Sequence, residues 1–216
     1  LRIYPGLTVA MLFCVFIVGL VHTTLPWSQY LSDPQIYFFL LKNVTLLFGL
    51  EYNLPGVFLG VPMSGPVNGS LWTLPYEVKM YIYLSIFSYL VILLQKYFRL
   101  DILKRAFLIL TATAIIVNIS NHYIEFTSEN STRLFSMFFI GSTFFICRDN
   151  VSLTVGKLCL SIIILTLSLS NKDLFYSAYT LLLPYLIFYV SYVPKGYVRR
   201  FNKFGDYSYG IYIYAF

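Results

Sequence analysis

Long apolar runs separated by short polar stretches dominate the chain, and they predict its elements. A membrane-spanning helix needs roughly 20 apolar residues, and six runs approach or reach this length. They lie at 6–25, 74–95, 106–120, 134–147, 151–170 and 174–193. A seventh run begins at 207 and is still short where the sequence ends. The pattern predicts an all-α, polytopic transmembrane helical bundle with about six complete spans and a truncated seventh.

A further apolar run, residues 36–50, decides the topology because Lys42 and Asn43 interrupt it. If this run does not cross the membrane, eleven of the fifteen Lys and Arg residues share one side, which the positive-inside rule makes cytoplasmic. The loop of residues 51–71 then lies outside. We therefore expect a re-entrant or interfacial helix at 36–50, and cysteine labelling that places Gly65 in the cytoplasm would refute this topology.

Composition agrees with a membrane protein. Of 216 residues, 58% are hydrophobic and 11% are charged, with a mean hydropathy of +0.74. The net charge of +6 comes from cations in short loops that orient the spans, so nucleic-acid binding is not expected. Three cysteines without CxxC spacing indicate neither a disulfide framework nor a metal site. We expect residues 1–216 to form a single integral membrane domain whose two ends are both cut.

The segment NGSLWTLPYE, Asn68–Glu77, carries the strongest candidate chemistry. It follows a stretch, Asn53–Ser70, whose four glycines and three prolines predict a shaped external loop. Thr73 is the predicted N-cap of a helix that starts near Leu74, which places Glu77 one turn inside at the outer surface. A helix N-terminus stabilises an anion there by roughly 0.3 to 1 kcal/mol, whereas a charge at the bilayer centre costs roughly 2.5 to 3.5 kcal/mol.

Helical spacing puts Glu77, Tyr81, Ser85 and Ser88 on one polar stripe, which we expect to face the bundle. Lys79 points elsewhere, so the predicted partner of Glu77 lies on another helix. Two interpretations of Glu77 stay open. One is a capping or structural role, and the other is participation in a site, since ionisable residues within membranes are commonly functional.

Other polar residues also allow two interpretations. Trp72 belongs to the interfacial aromatic belt or stacks on a sugar. Arg2 orients a span or binds a phosphate by paired hydrogen bonds. His22 and His122 have no acid or nucleophile beside them in sequence and are expected to be structural or solvated.

Three stretches together resemble the bacterial membrane-bound acyltransferase 3 family: LRIYP at 1–5, NGSLWTLPYE at 68–77 and FGDYSYGIYIYAF at 204–216. Their order and separation are similar, and the middle motif is the most specific. The resemblance implies a multi-pass enzyme of the bacterial inner membrane. Such enzymes often move acetyl from cytoplasmic acetyl-CoA to hydroxyls of cell-surface glycans such as lipopolysaccharide. It also implies membrane lipid, acetyl-CoA and a glycan acceptor as partners, with no tightly bound cofactor.

The resemblance assigns roles to individual residues. Arg2 matches the donor-facing arginine and Glu77 matches the candidate catalytic acid. The candidate acceptor-binding or motif residues are Asn68, Ser70, Trp72 and Tyr209, with Gly210 beside the last; Tyr81 joins them from the polar stripe and not from the resemblance. The family's essential histidine would lie upstream of Leu1, so the chain as given is expected to be inactive alone. Ala215 stands where many relatives have a histidine.

These assignments suggest that Glu77 orients or tunes a histidine base supplied upstream, that Arg2 holds donor phosphate, and that residues 53–72 shape the acceptor site. In the predicted topology Arg2 and Glu77 lie roughly 30 Å apart at opposite membrane faces. Either the pantetheine arm crosses a channel or a covalent carrier relays the acetyl group. The alternative function is a glycan or lipid transporter built on the broken 36–50 helix and Glu77. A third is a scaffold without either activity.

Overall fold

The computed structural model of the chain describes residues 3–59, 66–98, 102–196 and 208–214. Every named element in these ranges is helical, and an isolated β-bridge joins Thr23 to Val57. The α-helices are α1 (Ile3–Phe13), α2 (Leu20–His22), α3 (Trp27–Ser32), α4 (Pro34–Thr45), α5 (Leu74–Phe98), α6 (Leu103–Ile124), α7 (Glu129–Ile146), α8 (Val155–Ser168), α9 (Lys172–Tyr192) and α10 (Ser208–Ile213). A π-helical stretch (Cys14–Gly19) and two 3-10 helices (Gly69–Thr73 and Arg148–Asn150) complete them.

Four helices in the described ranges are long and apolar enough to cross a membrane. They are Ile3–His22, hereafter the first span, Gly69–Phe98, Leu103–Ile124 and Lys172–Tyr192. The prediction of an all-helical membrane protein is therefore confirmed. The number of six complete spans stays a prediction. Helices α7 and α8 are not among the four, because the polar first turn of α7 lowers its mean hydropathy and α8 has only 14 residues.

The interrupted run at 36–50 forms α4. Asp33 caps this helix by accepting a hydrogen bond from the Gln35 amide at 2.8 Å, and Leu46 ends it in the left-handed conformation with φ of 59°. Twelve residues rise about 18 Å, which is short of the roughly 30 Å of a bilayer core. The length agrees with a helix that does not span, while the membrane side of each loop stays a prediction. Gly65 lies outside the described residues.

The contacts divide the chain into two compact units. The first comprises Leu1–Lys79 with Phe204–Phe216, and the second comprises Met80–Lys203. The boundary falls inside α5. The single-domain organisation stays a prediction.

The core of the first unit forms where the first span meets α3 and α4. Leu7, Met11, Tyr30 and Phe39 are fully or almost fully buried there. The Tyr30 hydroxyl donates to the carbonyl of Val15, within the π-helical stretch, at 3.0 Å. A π-turn changes the local hydrogen-bond register, and here a side chain from another helix satisfies one of its carbonyls.

In the second unit the tightest helix pair is α6 with α7. Phe107 and Phe139 pack against Met80 in its buried cluster. Beside them, Thr111 Oγ1 lies 2.6 Å from Thr143 Oγ1 and donates to the carbonyl of Phe139 at 3.1 Å. Thr143 Oγ1 in turn donates to the Phe107 carbonyl at 3.3 Å, so both hydroxyls find partners within the protein, as is common between membrane helices.

Candidate functional site

The loop after α4 is attached to the C-terminal end of the first span. Thr23 Oγ1 donates to the Pro55 carbonyl and the Thr24 amide donates to the Gly56 carbonyl, both at 2.9 Å. Gly56 has φ of 69°, and a Cβ there would lie 2.9 Å from Thr23 Oγ1. Only glycine fits both the backbone conformation and the contact. The predicted turn-rich loop is thus confirmed in its described part.

The polar residues that interrupt the 36–50 run fix this loop to α4. Lys42 Nζ lies 3.0 Å from Glu51 Oε2. Asn43, which is almost fully buried, donates to the Glu51 carbonyl at 2.7 Å and accepts from its amide at 2.9 Å. Further on, the Val67 amide donates to the Tyr52 carbonyl at 2.8 Å. Lys42 and Asn43, which interrupt the apolar run, therefore hold the loop that leads to the motif segment.

The closing segment, α10, packs against the other end of the first span. The Tyr209 hydroxyl donates to the Ile3 carbonyl at 2.9 Å. A Cβ on Gly6 would lie 3.2 Å from Ile213 Cδ1 and 3.3 Å from Tyr209 Cε1. The absence of a side chain at Gly6 therefore permits the close approach of α10 to α1.

The same α10 contacts the motif segment through Asn68, which is 2% exposed. Its Nδ2 donates to the Ile213 carbonyl at 2.7 Å. Its Oδ1 accepts from the Ser70 hydroxyl at 2.7 Å and from the Ser70 amide at 3.2 Å. Asn68 thus caps the 3-10 helix Gly69–Thr73 and joins two segments that are 145 residues apart.

A chain of hydroxyls connects Glu77 to α10. Glu77 Oε1 lies 3.3 Å from Thr73 Oγ1, which lies 2.6 Å from the Tyr212 hydroxyl. The Tyr212 hydroxyl also donates to the carbonyl of Ser70. Three predicted motif residues, Asn68, Ser70 and Glu77, therefore belong to one hydrogen-bonded cluster, hereafter the motif cluster.

Two local predictions for this segment are wrong. Helix α5 does begin at Leu74, but Thr73 bonds to a side chain, and the residue that caps the segment is Asn68. The 3-10 helix runs directly into α5, so the helical segment starts after Asn68 and Thr73 is not at its N-terminus. Glu77 was expected to bond to another helix, yet its hydrogen-bond partner in the described chain is Thr73, one turn earlier. In the described chain, the hydrogen bonds of Glu77 extend to α10 through Thr73, which lies 2.6 Å from the Tyr212 hydroxyl.

The predicted separation of Arg2 and Glu77 across the membrane stays a prediction. Arg2 lies outside the described residues, while its neighbour Ile3 accepts a hydrogen bond from the Tyr209 hydroxyl. Pro55 and Gly56 lie at the C-terminal end of the first span, about 25 Å along it from Gly6. The motif from Asn68 onward lies beside the N-terminal half instead, so Glu77 is not at the loop's end of this span.

The remaining predicted site residues are not part of the cluster's hydrogen bonds. Trp72 is 37% exposed and packs edge to face on Tyr76, with ring centres 6.4 Å apart. Tyr81 belongs to the second unit, where its ring meets Phe138 at 5.3 Å and lines an apolar cavity of about 600 Å³ together with Ser88. Ser85 is exposed and bonds back to the Tyr81 carbonyl, so the predicted stripe does not continue inward there.

Sequence reasoning missed the surroundings of His122. This residue lies in the last turn of α6, with a 13% exposed side chain, and has no acid beside it in sequence. Its Nε2 lies 3.2 Å from Asp173 Oδ1 and its Nδ1 lies 3.8 Å from Glu129 Oε1, while its ring stacks on Tyr176 at 3.9 Å. It therefore links three helices, α6, α7 and α9. His22 instead packs against Phe58.

Sequence reasoning also missed Tyr212, and it gave Thr73 only a capping role. The one available signal was spacing, because Tyr212 follows the motif residue Tyr209 by three positions and so shares its helix face. Within the described ranges, no group of three or more His, Cys, Asp or Glu residues is placed to hold a metal ion.

Comparisons with protein-family models, curated proteins and solved structures gave no match to this chain. The acyltransferase resemblance therefore rests on the three motifs themselves.

Proposed function

We propose that the chain belongs to a membrane O-acyltransferase that moves an acetyl group from cytoplasmic acetyl-CoA to a hydroxyl of a bacterial cell-surface glycan. One observation carries the proposal. The separate motifs that suggest this activity meet in the motif cluster, through the Asn68 bond to Ile213 and the Thr73 contact with Tyr212. Two motif segments that are 145 residues apart in sequence thus lie against each other beside one acid.

The contact at Ile3 supports a shared site for donor and acceptor. Tyr209 joins the backbone of the residue that follows Arg2 to the helix that carries Tyr212. Arg2, the proposed phosphate ligand of the donor, precedes Ile3 in sequence and lies outside the described residues. We propose direct transfer of the acetyl group within one site, with a channel for the pantetheine arm and a covalent carrier as the alternatives.

The chemistry divides between this cluster and a base supplied upstream. Attack on the thioester needs removal of the acceptor hydroxyl proton and stabilisation of the tetrahedral oxyanion. In this proposal Glu77 orients or tunes the base, and Thr73 and Tyr212 fix the position of the Glu77 carboxyl group. The part of the loop that Asn43 fixes at Glu51, next to the Tyr52 carbonyl that accepts from the Val67 amide, forms the wall of the acceptor site.

The test supplies the full-length protein in membranes with radiolabelled acetyl-CoA and identifies labelled surface glycans by mass spectrometry. We expect labelled acetate on the glycan, reduced about 10²- to 10⁴-fold by Glu77→Gln, the range typical of proton-transfer groups. The matched control is Glu125→Gln, which changes an exposed acid at the end of α6 and leaves labelling intact.

Three outcomes contradict the proposal. Glycan that moves across the membrane without label favours the transporter, and neither label nor transport favours a scaffold. Full labelling by the Glu77→Gln protein removes this carboxyl group from the reaction.

A further inference from the structure

A cavity of about 330 Å³ lies in the second unit, between the C-terminal ends of α7 and α9. This volume is within the roughly 300 to 1,000 Å³ typical of ligand pockets. Two pairs of rings stack in its wall, Phe144 on Phe188 at 4.7 Å and Phe188 on Tyr192 at 6.1 Å, and form a row. The row gives the cavity a fixed apolar surface that suits a hydrocarbon chain. Besides one arginine, the lining residues are Phe144, Phe145, Val151, Leu153, Phe188 and Tyr192.

Arg148 places a cation at this cavity. Its guanidinium lines the cavity and lies 5.1 Å from the ring centre of Phe145, within the range of a cation–π contact. Its Nε is 3.9 Å from Asp149 Oδ1, which is longer than a hydrogen bond, and both side chains are largely exposed. An exposed ion pair of this kind contributes little. The guanidinium therefore keeps donors for a paired contact with a phosphate group.

Two lysines reach the same segment, residues 148–154, from other helices. Lys104 Nζ, in the first turn of α6, donates to Asn150 Oδ1 at 3.2 Å. Lys157 Nζ, in the first turn of α8, donates to the Ser152 carbonyl at 3.4 Å. Both lysines are exposed, as is the arginine. Three cations thus surround a segment whose sequence contains a single acid, so positive charge dominates beside the cavity.

The cavity also lies at the end of two helices that are long and apolar enough to cross a membrane. Tyr192, which lines it, is the last residue of α9, and Lys104 is the second residue of α6. The ends of spans lie at the level of the lipid headgroups. Cations at that level also orient the spans, but orientation requires no apolar cavity beside them. An apolar cavity with cations at its rim matches the two parts of an anionic lipid.

We propose that this cavity binds an anionic phospholipid, with an acyl chain against the row of rings and the phosphate held by Arg148, Lys104 and Lys157. Arginine donates paired hydrogen bonds to phosphate oxygens, and the lysines add charge. Charge complementarity favours an anionic lipid over a zwitterionic one, whose headgroup brings a cation of its own towards the same side chains. The bound lipid contacts α7 and α9 through its chain and the starts of α6 and α8 through its phosphate.

Native mass spectrometry of the full-length protein in detergent micelles tests the proposal. The two probes are dioleoyl phosphatidylglycerol and dioleoyl phosphatidylcholine, which have the same chains. One Lys or Arg beside an anionic lipid changes the affinity about fivefold, so two net positive charges predict a preference of about 25-fold for phosphatidylglycerol. Arg148→Gln should weaken the binding of phosphatidylglycerol about fivefold.

Lys172→Gln is the matched control, because this exposed cation lies in the first turn of α9, at the opposite end of that helix from Tyr192. It should leave the affinity unchanged. Leu153→Trp and Val151→Trp each add bulk to the cavity wall outside the helices. Both should weaken the binding of phosphatidylglycerol about fivefold or more, while circular dichroism shows intact helices.

Equal affinities for the two lipids overturn the proposal, and so does an equal loss of affinity in Lys172→Gln and Arg148→Gln. Competition by soluble glycerol 3-phosphate at the same concentration as the lipid would assign the cations to a free phosphate ester instead. Unchanged binding by both tryptophan variants would place the chain outside the cavity and also refutes the proposal. If a tryptophan variant does not fold, the lipid comparison and Arg148→Gln decide the matter. None of these measurements involves acyl transfer, so their failure leaves the proposed function standing.

Discussion

Replacement of Gly19 by alanine should destabilise the first unit, although alanine is the better helix former. Gly19 ends the π-helical stretch with φ of −62° and ψ of −49°, so its backbone accepts alanine without strain. The new Cβ, however, would lie 1.8 Å from the Tyr30 hydroxyl oxygen and 2.7 Å from Cζ of the same ring. Tyr30 is fully buried, so its ring has no free space into which to move.

The magnitude follows from three contributions. Overpacking of a core costs roughly 1 to 3 kcal/mol. Displacement of Tyr30 also breaks its 3.0 Å bond to the Val15 carbonyl, and a buried carbonyl without a donor costs roughly 1 to 3 kcal/mol. The better helix propensity of alanine returns about 1 kcal/mol. The expected net loss is therefore about 1 to 5 kcal/mol.

Denaturant unfolding of the protein in detergent micelles measures this loss. The matched control is Gly141→Ala in α7, where a Cβ meets no atom within 4 Å and where we expect a gain of up to about 1 kcal/mol. The Gly19→Ala change should cost less in a Tyr30→Phe background, because the nearest clashing atom is gone. A Gly19→Ala protein as stable as the Gly141→Ala protein would refute the packing argument.

The same tyrosine predicts a pH dependence. Burial, with a smaller contribution from the nearby Cys14 thiol, raises the pKa of Tyr30 from 10.0 to about 12. The unfolded chain loses this proton first, so the contribution of Tyr30 to stability is complete below pH 10 and is lost as the pH rises towards 12. Tyr30→Phe should flatten this alkaline loss, and parallel curves for wild type and variant would contradict the assignment.

Two further predictions concern buried polar contacts. Thr111→Val should cost roughly 1 to 3 kcal/mol by removing the buried hydroxyl that contacts Thr143 Oγ1 and donates to the Phe139 carbonyl, whereas the Thr111→Val, Thr143→Val double variant should cost less than the sum of the two changes. Thr113→Val, which alters an exposed hydroxyl bonded only to its own helix, should change stability by less than about 0.5 kcal/mol in the same unfolding assay. Asn68→Ala should detach α10 from the motif and increase protease cleavage there, and an unchanged cleavage pattern would show that the Asn68 bond does not hold α10.

Local patterns in the sequence were sufficient where short-range physics decides the outcome. Continuous apolar runs predicted a helical membrane protein because backbone groups in a bilayer must bond within their own segment. Helix α5 begins at Leu74 as predicted, and the described part of the stretch after Asn53 forms the turns that its glycine and prolines predict. Two of the predicted spans stay predictions for a local reason as well, since polar or short segments such as α7 and α8 give ambiguous signals.

The sequence alone determined a helical membrane protein with an acid one turn into a motif-bearing helix, because helix formation and apolar burial depend on neighbouring residues. Only the tertiary structure decided what surrounds that acid. Tyr212 and Thr73 are 139 residues apart, and Asn68 and Ile213 are 145 apart, so only packing brings them together. The path of the loop along the first span likewise depends on contacts that no local pattern encodes, such as that of Gly56 with Thr23. The neighbours of Glu77 were decided in the same way, because what surrounds a side chain is set by what its helix packs against.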